Sequence, residues 1–177
     1  MRTFKLFNVL ALALLICASC EKETPNQITF YSVDQVKKKL TVKIDKTDGN
    51  TISVNSNSII NLKSSKVFEE NIDLLEDVEV EGLSFRIKDC EINPLVKISN
   101  IAVYVDEIKI SENDIKFDFL ANGISFKINN GEILSKISSK LLQKKQVVLS
   151  YYSDAESGQL FNFDLEFSIT AKGTFID

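Results

Sequence analysis

Histidine and tryptophan are both absent from the sequence. Histidine is the commonest general base and the commonest metal ligand, so its absence excludes most familiar hydrolase and metalloenzyme designs. Ser84 has no histidine to activate it, and the second glycine of a nucleophile elbow is missing after it. A pair of acidic residues could still hydrolyse sugars, but the sequence selects no pair. We predict that the protein is not an enzyme, with no catalytic residue, no metal site and no cofactor.

Cysteine is scarce, and two of the three cysteines, Cys17 and Cys20, lie near the start of the chain. Only Cys90 remains beyond them, so we expect no disulfide within the domain. Asp89 and Glu91 flank this thiol, and nearby negative charge disfavours the thiolate. We predict that Cys90 is not a reactive nucleophile but a small, partly buried residue at the end of a strand.

The most distinctive local pattern lies at the start of the chain. An apolar run at residues 6–16 follows two basic side chains, and the small residues Ala18 and Ser19 directly precede Cys20. This is the layout of a secretory signal peptide, and the run is too short to span a bilayer. Cys20 resembles the cysteine of a bacterial lipobox, whose sulfur receives a diacylglycerol after cleavage. We predict a signal peptide at residues 1–19 and lipidation of Cys20; an ordinary signal peptide, with Cys20 a free thiol, is the alternative.

Removal of residues 1–19 would leave 19 basic and 25 acidic side chains. This acidic balance argues against nucleic acid as a partner, because nucleic-acid binding rests on clustered Lys and Arg. Residues 20–27 would form the lipidated cysteine and a short linker, which reaches roughly 28 Å at most. Residues 28–177 suit a single β-sandwich domain held close to its membrane.

Alternation of apolar and polar residues is the dominant pattern, and it is clearest in residues 160–170. Such alternation predicts a half-buried antiparallel strand. The apolar face consists of Phe161, Phe163, Leu165, Phe167 and Ile169. Several short strands of this kind with few helices favour a mainly β fold. We predict an antiparallel β-sandwich of about eight strands with one or two short helices.

Three short segments predict turns between strands, because Asn-Gly and similar pairs readily adopt positive φ. Residues 121–123 would join strands at 115–119 and 124–128. Residues 46–50 would form a similar tight turn between two strands. Residues 154–158 would lead from the preceding strand into the phenylalanine-rich one.

Two segments have helical periodicity instead. Apolar residues recur at helical spacing between residues 129 and 145, and lysines end this segment, where they favour a helix C-terminus. The apolar residues are Ile133, Leu134, Ile137, Leu141 and Leu142. A second, shorter helix would place Phe68, Ile72 and Leu75 on one face.

Residues 82–99 resemble residues 123–138, and each segment begins with glycine. Asn93-Pro94 forces a turn in the first segment, whereas the second continues into the predicted helix. Repeat architectures normally show at least three copies. We therefore favour convergence over duplication. Before Gly82 the apolar residues occupy even-numbered positions, and after it they occupy odd-numbered positions. This switch predicts a β-bulge at Gly82.

Residues 69–81 form the densest acidic stretch. Carboxylate oxygens suit calcium, but the spacing matches no loop in which alternate positions carry oxygens before a glycine. The segment "DKTDGN" from Asp45 fails the same test. We favour a solvated surface over a calcium site. The acidic residues are Glu69, Glu70, Asp73, Glu76, Asp77, Glu79 and Glu81.

Aromatic platforms for glycans are few, since only Tyr31, Tyr104, Tyr151 and Tyr152 qualify. Tyr151 and Tyr152 are adjacent in one predicted strand, so their side chains fall on opposite faces. At most one of them is expected to be exposed. The sequence singles out no ligand-binding residue.

The order of these features resembles a group of uncharacterised lipoproteins of the Bacteroidota. A lipobox is followed by "IDLLEDVEVEGLSFRI", "LVKISNIAVYV", a late helix "ILSKISSKLL" and a closing strand pair ending in "FDLEFSITAKGTF". The resemblance implies a lipid-anchored β-sandwich at the outer membrane. An acidic run after the lipidated cysteine can direct such lipoproteins to the cell surface, and Glu21-Lys22-Glu23 matches it imperfectly, so the side of the membrane stays open. Lipoprotein pilins of the same bacteria are matured by cutting after an arginine. The only arginine after residue 19 is Arg86, and it lies inside a predicted strand, which argues against a pilin role.

These observations lead us to expect an envelope lipoprotein that acts as a non-enzymatic binding or structural module. It would contact the membrane through the acylated Cys20 and an envelope protein through exposed sheet edges or loops. The alternative is a carrier that holds a lipid or other apolar ligand between sheet and helix. A phenylalanine-rich interior fits both.

Overall fold

The computed structural model describes residues 27–90, 95–110 and 125–177. Within them lie eight strands, two α-helices and two single turns of 3-10 helix at Leu62–Ser64 and Ile72–Leu74. The helices are α1 (Lys66–Asn71) and α2 (Gly131–Lys144). The strands are β1 (Thr29–Ile44), β2 (Ile52–Asn61), β3 (Leu75–Lys88), β4 (Val96–Val105), β5 (Ile108–Lys109), β6 (Ser125–Ile128), β7 (Gln146–Ser157) and β8 (Phe161–Ile176).

The strands form two four-stranded antiparallel sheets. Sheet A has the order β1-β8-β3-β6, and sheet B has the order β2-β7-β4-β5. Their inner faces pack together, as shown by Tyr151 of sheet B and Phe163 of sheet A, whose rings meet edge to face at 5.6 Å. The predicted fold class, a mainly β antiparallel sandwich with short helices, is therefore confirmed.

Strand β8 supplies the centre of the core. All five apolar residues predicted to share one face are buried, with at most 6% of any of them exposed. Phe167 packs against Phe85 of β3, with 5.7 Å between ring centroids. The alternation continues beyond the predicted strand, because Ala171 and Phe175 are also buried on the same face.

The shorter helical segment packs against the C-terminal end of β8. Phe68 of α1 is fully buried and packs against Phe175, with 5.8 Å between ring centroids. The prediction of one continuous helical face was wrong at its end, because Ile72 lies in a 3-10 turn and Leu75 begins β3. Leu75 is buried at the start of β3, and a register shift between Leu75 and Asp77 separates its parity from that of Val78 and Val80.

The predicted β-bulge at Gly82 is confirmed. Val80 is opposite Ala171 and Gly82 is opposite Thr170, so Glu81 is an extra residue on β3. The extra residue explains the switch in apolar parity along this strand, because it rotates the following side chains to the other face.

Helix α2 also agrees with the sequence pattern. The Asn130 side chain accepts hydrogen bonds from the backbone N–H groups of Glu132 and Ile133, which caps the helix N-terminus. Ile137 and Leu141 are fully buried. Lys145 ends the helix in the left-handed conformation, with φ of 57°.

One predicted turn is confirmed but joins two different sheets. Residues 46–50 form a tight turn between β1 and β2, with positive φ at Asp48 and Gly49, but not a hairpin, because β1 belongs to sheet A and β2 to sheet B. Two hydrogen bonds attach this connection to β7. The Thr47 N–H donates to Ser157 O at 2.9 Å, and the Ser157 N–H donates to Thr47 Oγ1 at 3.0 Å. Alternation shows which face of a strand is buried but not which sheet contains the strand.

Residues 154–158 are mostly strand rather than turn. Strand β7 continues to Ser157, since Ala155 and Ser157 remain buried on its inner face. The turn into β8 follows at residues 158–160, where Gly158 N–H donates to Leu95 O at 3.0 Å. The predicted strand at 115–119, the turn at 121–123 and Asn93-Pro94 lie outside the described residues.

Candidate binding surfaces

Cys20, the predicted lipidation site, lies outside the described residues, so its acylation stays a prediction. Cys90 lies just beyond β3 and is buried, with 1% of its surface exposed. Burial raises the pKa of this thiol to about 11. The prediction of an unreactive thiol agrees with this pKa, but the physical reason is burial rather than the neighbouring acids.

The acidic residues at 69–81 are distributed over α1, a 3-10 turn and β3. Among the described residues, no group of three or more Asp, Glu or Cys side chains is placed to hold a metal ion. Ser84 lies on the outer face of sheet A, directly opposite Ser168 of β8 and Lys127 of β6. The predicted site residues are thus not gathered into one pocket.

Two stretches of sheet A to which another strand could add carry features that hinder such pairing: the edge strand β1, and the part of β3 before Leu83, which β6 does not pair with. Lys38 of the edge strand β1 shares the inward parity of Val36 and Leu40, yet it is exposed. An inward-pointing lysine of this kind discourages the addition of a further strand. On β3, the Val78 N–H donates to Asp77 Oδ1 and the Val80 N–H donates to Ser138 Oγ of α2, each at 2.8 Å.

A groove of about 650 Å³ lies between β3 and α2. Valine and leucine side chains line part of it, but carboxylates and hydroxyls line the rest. The apolar lining residues are Val78, Val80, Leu134 and Leu142, and the polar ones are Asp77, Glu79, Glu81 and Ser138. The groove is where the sequence-based alternative places an apolar ligand.

Sheet B exposes an apolar patch on its outer face, which we call the tyrosine face and define as Ile59, Tyr104, Val148 and Tyr152. Tyr152 is 45% exposed and meets the Tyr104 ring edge to face, with 5.7 Å between centroids. Ile59 and Val148 are directly opposite each other on β2 and β7, and both are exposed. The expectation that at most one of Tyr151 and Tyr152 is exposed is confirmed.

Small polar side chains surround the tyrosine face. Asn55 is the cross-strand neighbour of Tyr152, and Asn57 is the neighbour of Ser150. Asp154 accepts hydrogen bonds from the Asn100 amide at 2.6 Å and from the Ser53 hydroxyl at 3.3 Å. Tyrosine among Ser and Asn is typical of antibody binding sites, because the ring supplies rigid contact area and the small side chains adapt their hydrogen bonds.

The outer face of sheet A is mostly polar apart from Tyr31 and Val33 of β1, which are 64% and 51% exposed, and ion pairs cross its strands. Arg86 and Lys88 of β3 both bind Glu166 of β8, the lysine at 3.3 Å. Burial alone would raise the pKa of Glu166, but the hydrogen bonds from Arg86 and Lys88 outweigh it and lower the pKa. Sequence reasoning missed this cluster, because only strand register brings its residues together.

No helix in the described part of the chain is long and apolar enough to cross a membrane. No protein-family model matches the sequence, and no curated protein matches it. Among solved structures, the chain is similar to the crystal structure of a decameric BFDV capsid protein, with 13% identity and a TM-score of 0.48. The alignment covers 81% of this chain and 99% of that chain. Similarity at this level supports no conclusion about function or assembly.

Proposed function

We propose that the protein is a lipid-anchored envelope lipoprotein of the outer membrane that acts as a non-enzymatic binding module. In this proposal the acylated Cys20 attaches the domain to the membrane, and the tyrosine face of sheet B binds an envelope protein. The proposal does not assign the domain to the periplasmic side or to the cell-surface side of the outer membrane.

The exposure of the tyrosine face is the observation that carries the proposal. Ile59, Val148 and Tyr152 are large apolar residues on one sheet face, and they are exposed by 48%, 36% and 45%. A contiguous apolar patch with a polar surround marks an interaction site more often than scattered apolar residues do. The features that hinder strand addition at β1 and at the part of β3 that β6 does not pair with favour this face over the sheet edges that the sequence led us to expect.

The test compares two variants of the full-length protein, one with two tyrosines replaced and one with a single tyrosine replaced. Replacing both Tyr104 and Tyr152 by serine should remove the protein that co-purifies with the wild type from detergent-extracted envelopes. Tyr31→Ser is the matched control, because Tyr31 is also exposed, by 64%, but lies on β1 of sheet A. Equal loss of the partner in both variants, or retention in both, would refute the tyrosine face as the binding surface.

The anchor requires a separate test, because the binding surface and the anchor can fail independently. Cys20→Ala should move the protein from the membrane fraction to the soluble fraction. Continued membrane attachment of this variant would overturn the lipid anchor and leave the tyrosine face untouched.

The alternative, a carrier of a lipid or other apolar ligand, has one observation in its favour. The groove between β3 and α2 has the predicted position and a volume of about 650 Å³. Asp77, Glu79 and Glu81 line the same groove, and desolvating carboxylates against an apolar ligand is unfavourable. We therefore favour the binding module.

A further inference from the structure

Strand register aligns four polar side chains across the whole of sheet A. Lys37 of β1 is opposite Ser168 of β8, Ser168 is opposite Ser84 of β3, and Ser84 is opposite Lys127 of β6. The outward residues alternate with the buried residues of each strand, so these four share the outer face. We call Lys37, Ser84, Lys127 and Ser168 the lysine–serine row.

A pocket of about 200 Å³ opens over three residues of this row, Lys37, Ser84 and Ser168, and Lys127 is the cross-strand neighbour of Ser84. Three serine hydroxyls line it, together with Lys37, Gln35 and the paired Arg86 and Glu166. The serines are Ser84, Ser125 and Ser168. Hydroxyl and amide donors beside cations are the groups that proteins use to bind phosphate oxygens.

Ser168 provides a second observation that suggests a ligand in this pocket. Its hydroxyl oxygen is buried and has no hydrogen-bond partner among the described residues. Buried polar side-chain atoms are hydrogen-bonded in the large majority of cases, so an unpaired one requires an explanation. Rotation of the Ser168 side chain, which lines the pocket and is only partly buried, would let this hydroxyl donate to an oxygen of a bound anion.

No residue in the described part of the chain compensates the charges of the row. Lys37 and Lys127 form no ion pair with any described residue, whereas Lys39 pairs with Asp164 and Arg86 pairs with Glu166. This surface therefore carries excess positive charge in a chain whose net charge is −4. A cationic patch on an acidic protein attracts anions that the rest of its surface repels.

We propose that the lysine–serine row binds a phosphate group, with Ser84 and Ser168 donating hydrogen bonds and Lys37 and Lys127 neutralising its charge. The first candidate source of the phosphate is the headgroup of a phospholipid. That this lipid belongs to the membrane that holds the protein rests on the proposed function. A soluble phosphate compound offers the same chemistry. The phosphate site itself does not depend on the anchor.

The test titrates inorganic phosphate into the protein extracted from its own envelope in a neutral detergent, with sodium chloride at matched ionic strength as the blank. The variants are Lys37→Gln with Lys127→Gln, and Ser168→Val. Lys63→Gln with Lys109→Gln is the matched control, because both lysines are exposed, lie outside sheet A and form no ion pair with a described residue. The unfolding midpoint of each variant shows whether it is folded.

Saturable phosphate binding should weaken about 25-fold in the first variant, at about fivefold for each lysine. It should weaken in Ser168→Val and stay unchanged in the control. No saturable binding by the folded wild type, or equal weakening in the control, would overturn the site. The latter result would show a general effect of net charge.

A second titration distinguishes the sources of the phosphate. Short-chain phosphatidylglycerol in mixed micelles, displaced by inorganic phosphate and weakened by the same variants, would support a lipid headgroup. Binding of inorganic phosphate without binding of the lipid would support the site and assign it to a soluble phosphate. Neither outcome bears on Cys20 or on the tyrosine face, whose tests are separate.

Discussion

Lys39 and Asp164 form an ion pair between neighbouring strands, with 2.5 Å between Nζ and Oδ2. Asp164 lies on the polar side of β8, yet only 6% of it is exposed. The Thr41 hydroxyl, directly opposite on β1, donates to Asp164 Oδ1 at 2.7 Å. The buried Asp164 carboxylate thus links the edge strand β1 to β8, its neighbour in sheet A.

This carboxylate makes stability depend on pH in the acid range. Burial alone would raise the pKa of Asp164, but hydrogen bonds from Lys39 and Thr41 and the lysine charge lower it below its usual value. A carboxyl whose pKa is lower in the folded state contributes stability above its unfolded pKa, about 3.9, and loses it as the pH falls through the folded pKa.

We predict that Asp164→Asn lowers the free energy of unfolding at neutral pH by about 1–3 kcal/mol, since it removes charge-assisted hydrogen bonds. The difference from wild type should shrink as the pH falls below about 4, which urea unfolding at several pH values would measure. Asp48→Asn is the control, because Asp48 also pairs with a lysine, Lys46, at 2.7 Å but its side chain is 73% exposed. A constant difference between Asp164→Asn and wild type at all pH values would contradict the prediction.

Gly173 is a position where even one methyl group should be harmful. A Cβ atom there would lie 2.6 Å from the Phe175 ring and 2.8 Å from the Phe68 ring, and both rings are fully buried. We predict that Gly173→Ala destabilises the protein by about 1–3 kcal/mol, as overpacking of a core does. Denaturant unfolding measures the change.

Gly131→Ala is the matched control for Gly173→Ala. Gly131 begins α2, and no atom lies within 4 Å of a Cβ placed there. Alanine favours a helix over glycine by up to about 1 kcal/mol, so this variant should be as stable as wild type or more stable. Equal stability of the two variants would show that the Phe68 and Phe175 rings can move aside.

Cys90 should react only when the protein unfolds. The thiol is buried and its pKa is raised to about 11, so thiolate is rare near neutral pH and alkylating reagents cannot reach it. We predict that the peptide containing Cys90 stays unmodified by iodoacetamide under native conditions and is modified fully in denaturant. Mass spectrometry of the digested protein would measure this, and rapid native modification would contradict the burial.

The sequence was most informative where one strand carries its own pattern. The parity of Phe161 to Ile169 predicted the buried face of β8, and the parity switch predicted the bulge at Gly82. The neighbours Tyr151 and Tyr152 were correctly expected on opposite faces. In each case the information is local, because side chains alternate within a single strand.

The surfaces required pairing information that alternation does not contain. Lys37, Ser84, Lys127 and Ser168 come from four strands, and only their register places them in one row. The segment at 46–50 has the composition of a hairpin turn but crosses between sheets, since long-range packing decides which partner β2 meets. The tyrosine face was missed for the same reason.

The most direct test of the central claim is a native mass spectrum of the protein gently extracted from its own membranes. We predict a chain that begins at Cys20, carries acyl groups and is bound to another protein, with this complex absent for Tyr104→Ser with Tyr152→Ser. A stoichiometric apolar small molecule beyond the acyl chains, with no bound protein, would contradict the binding module and favour the carrier.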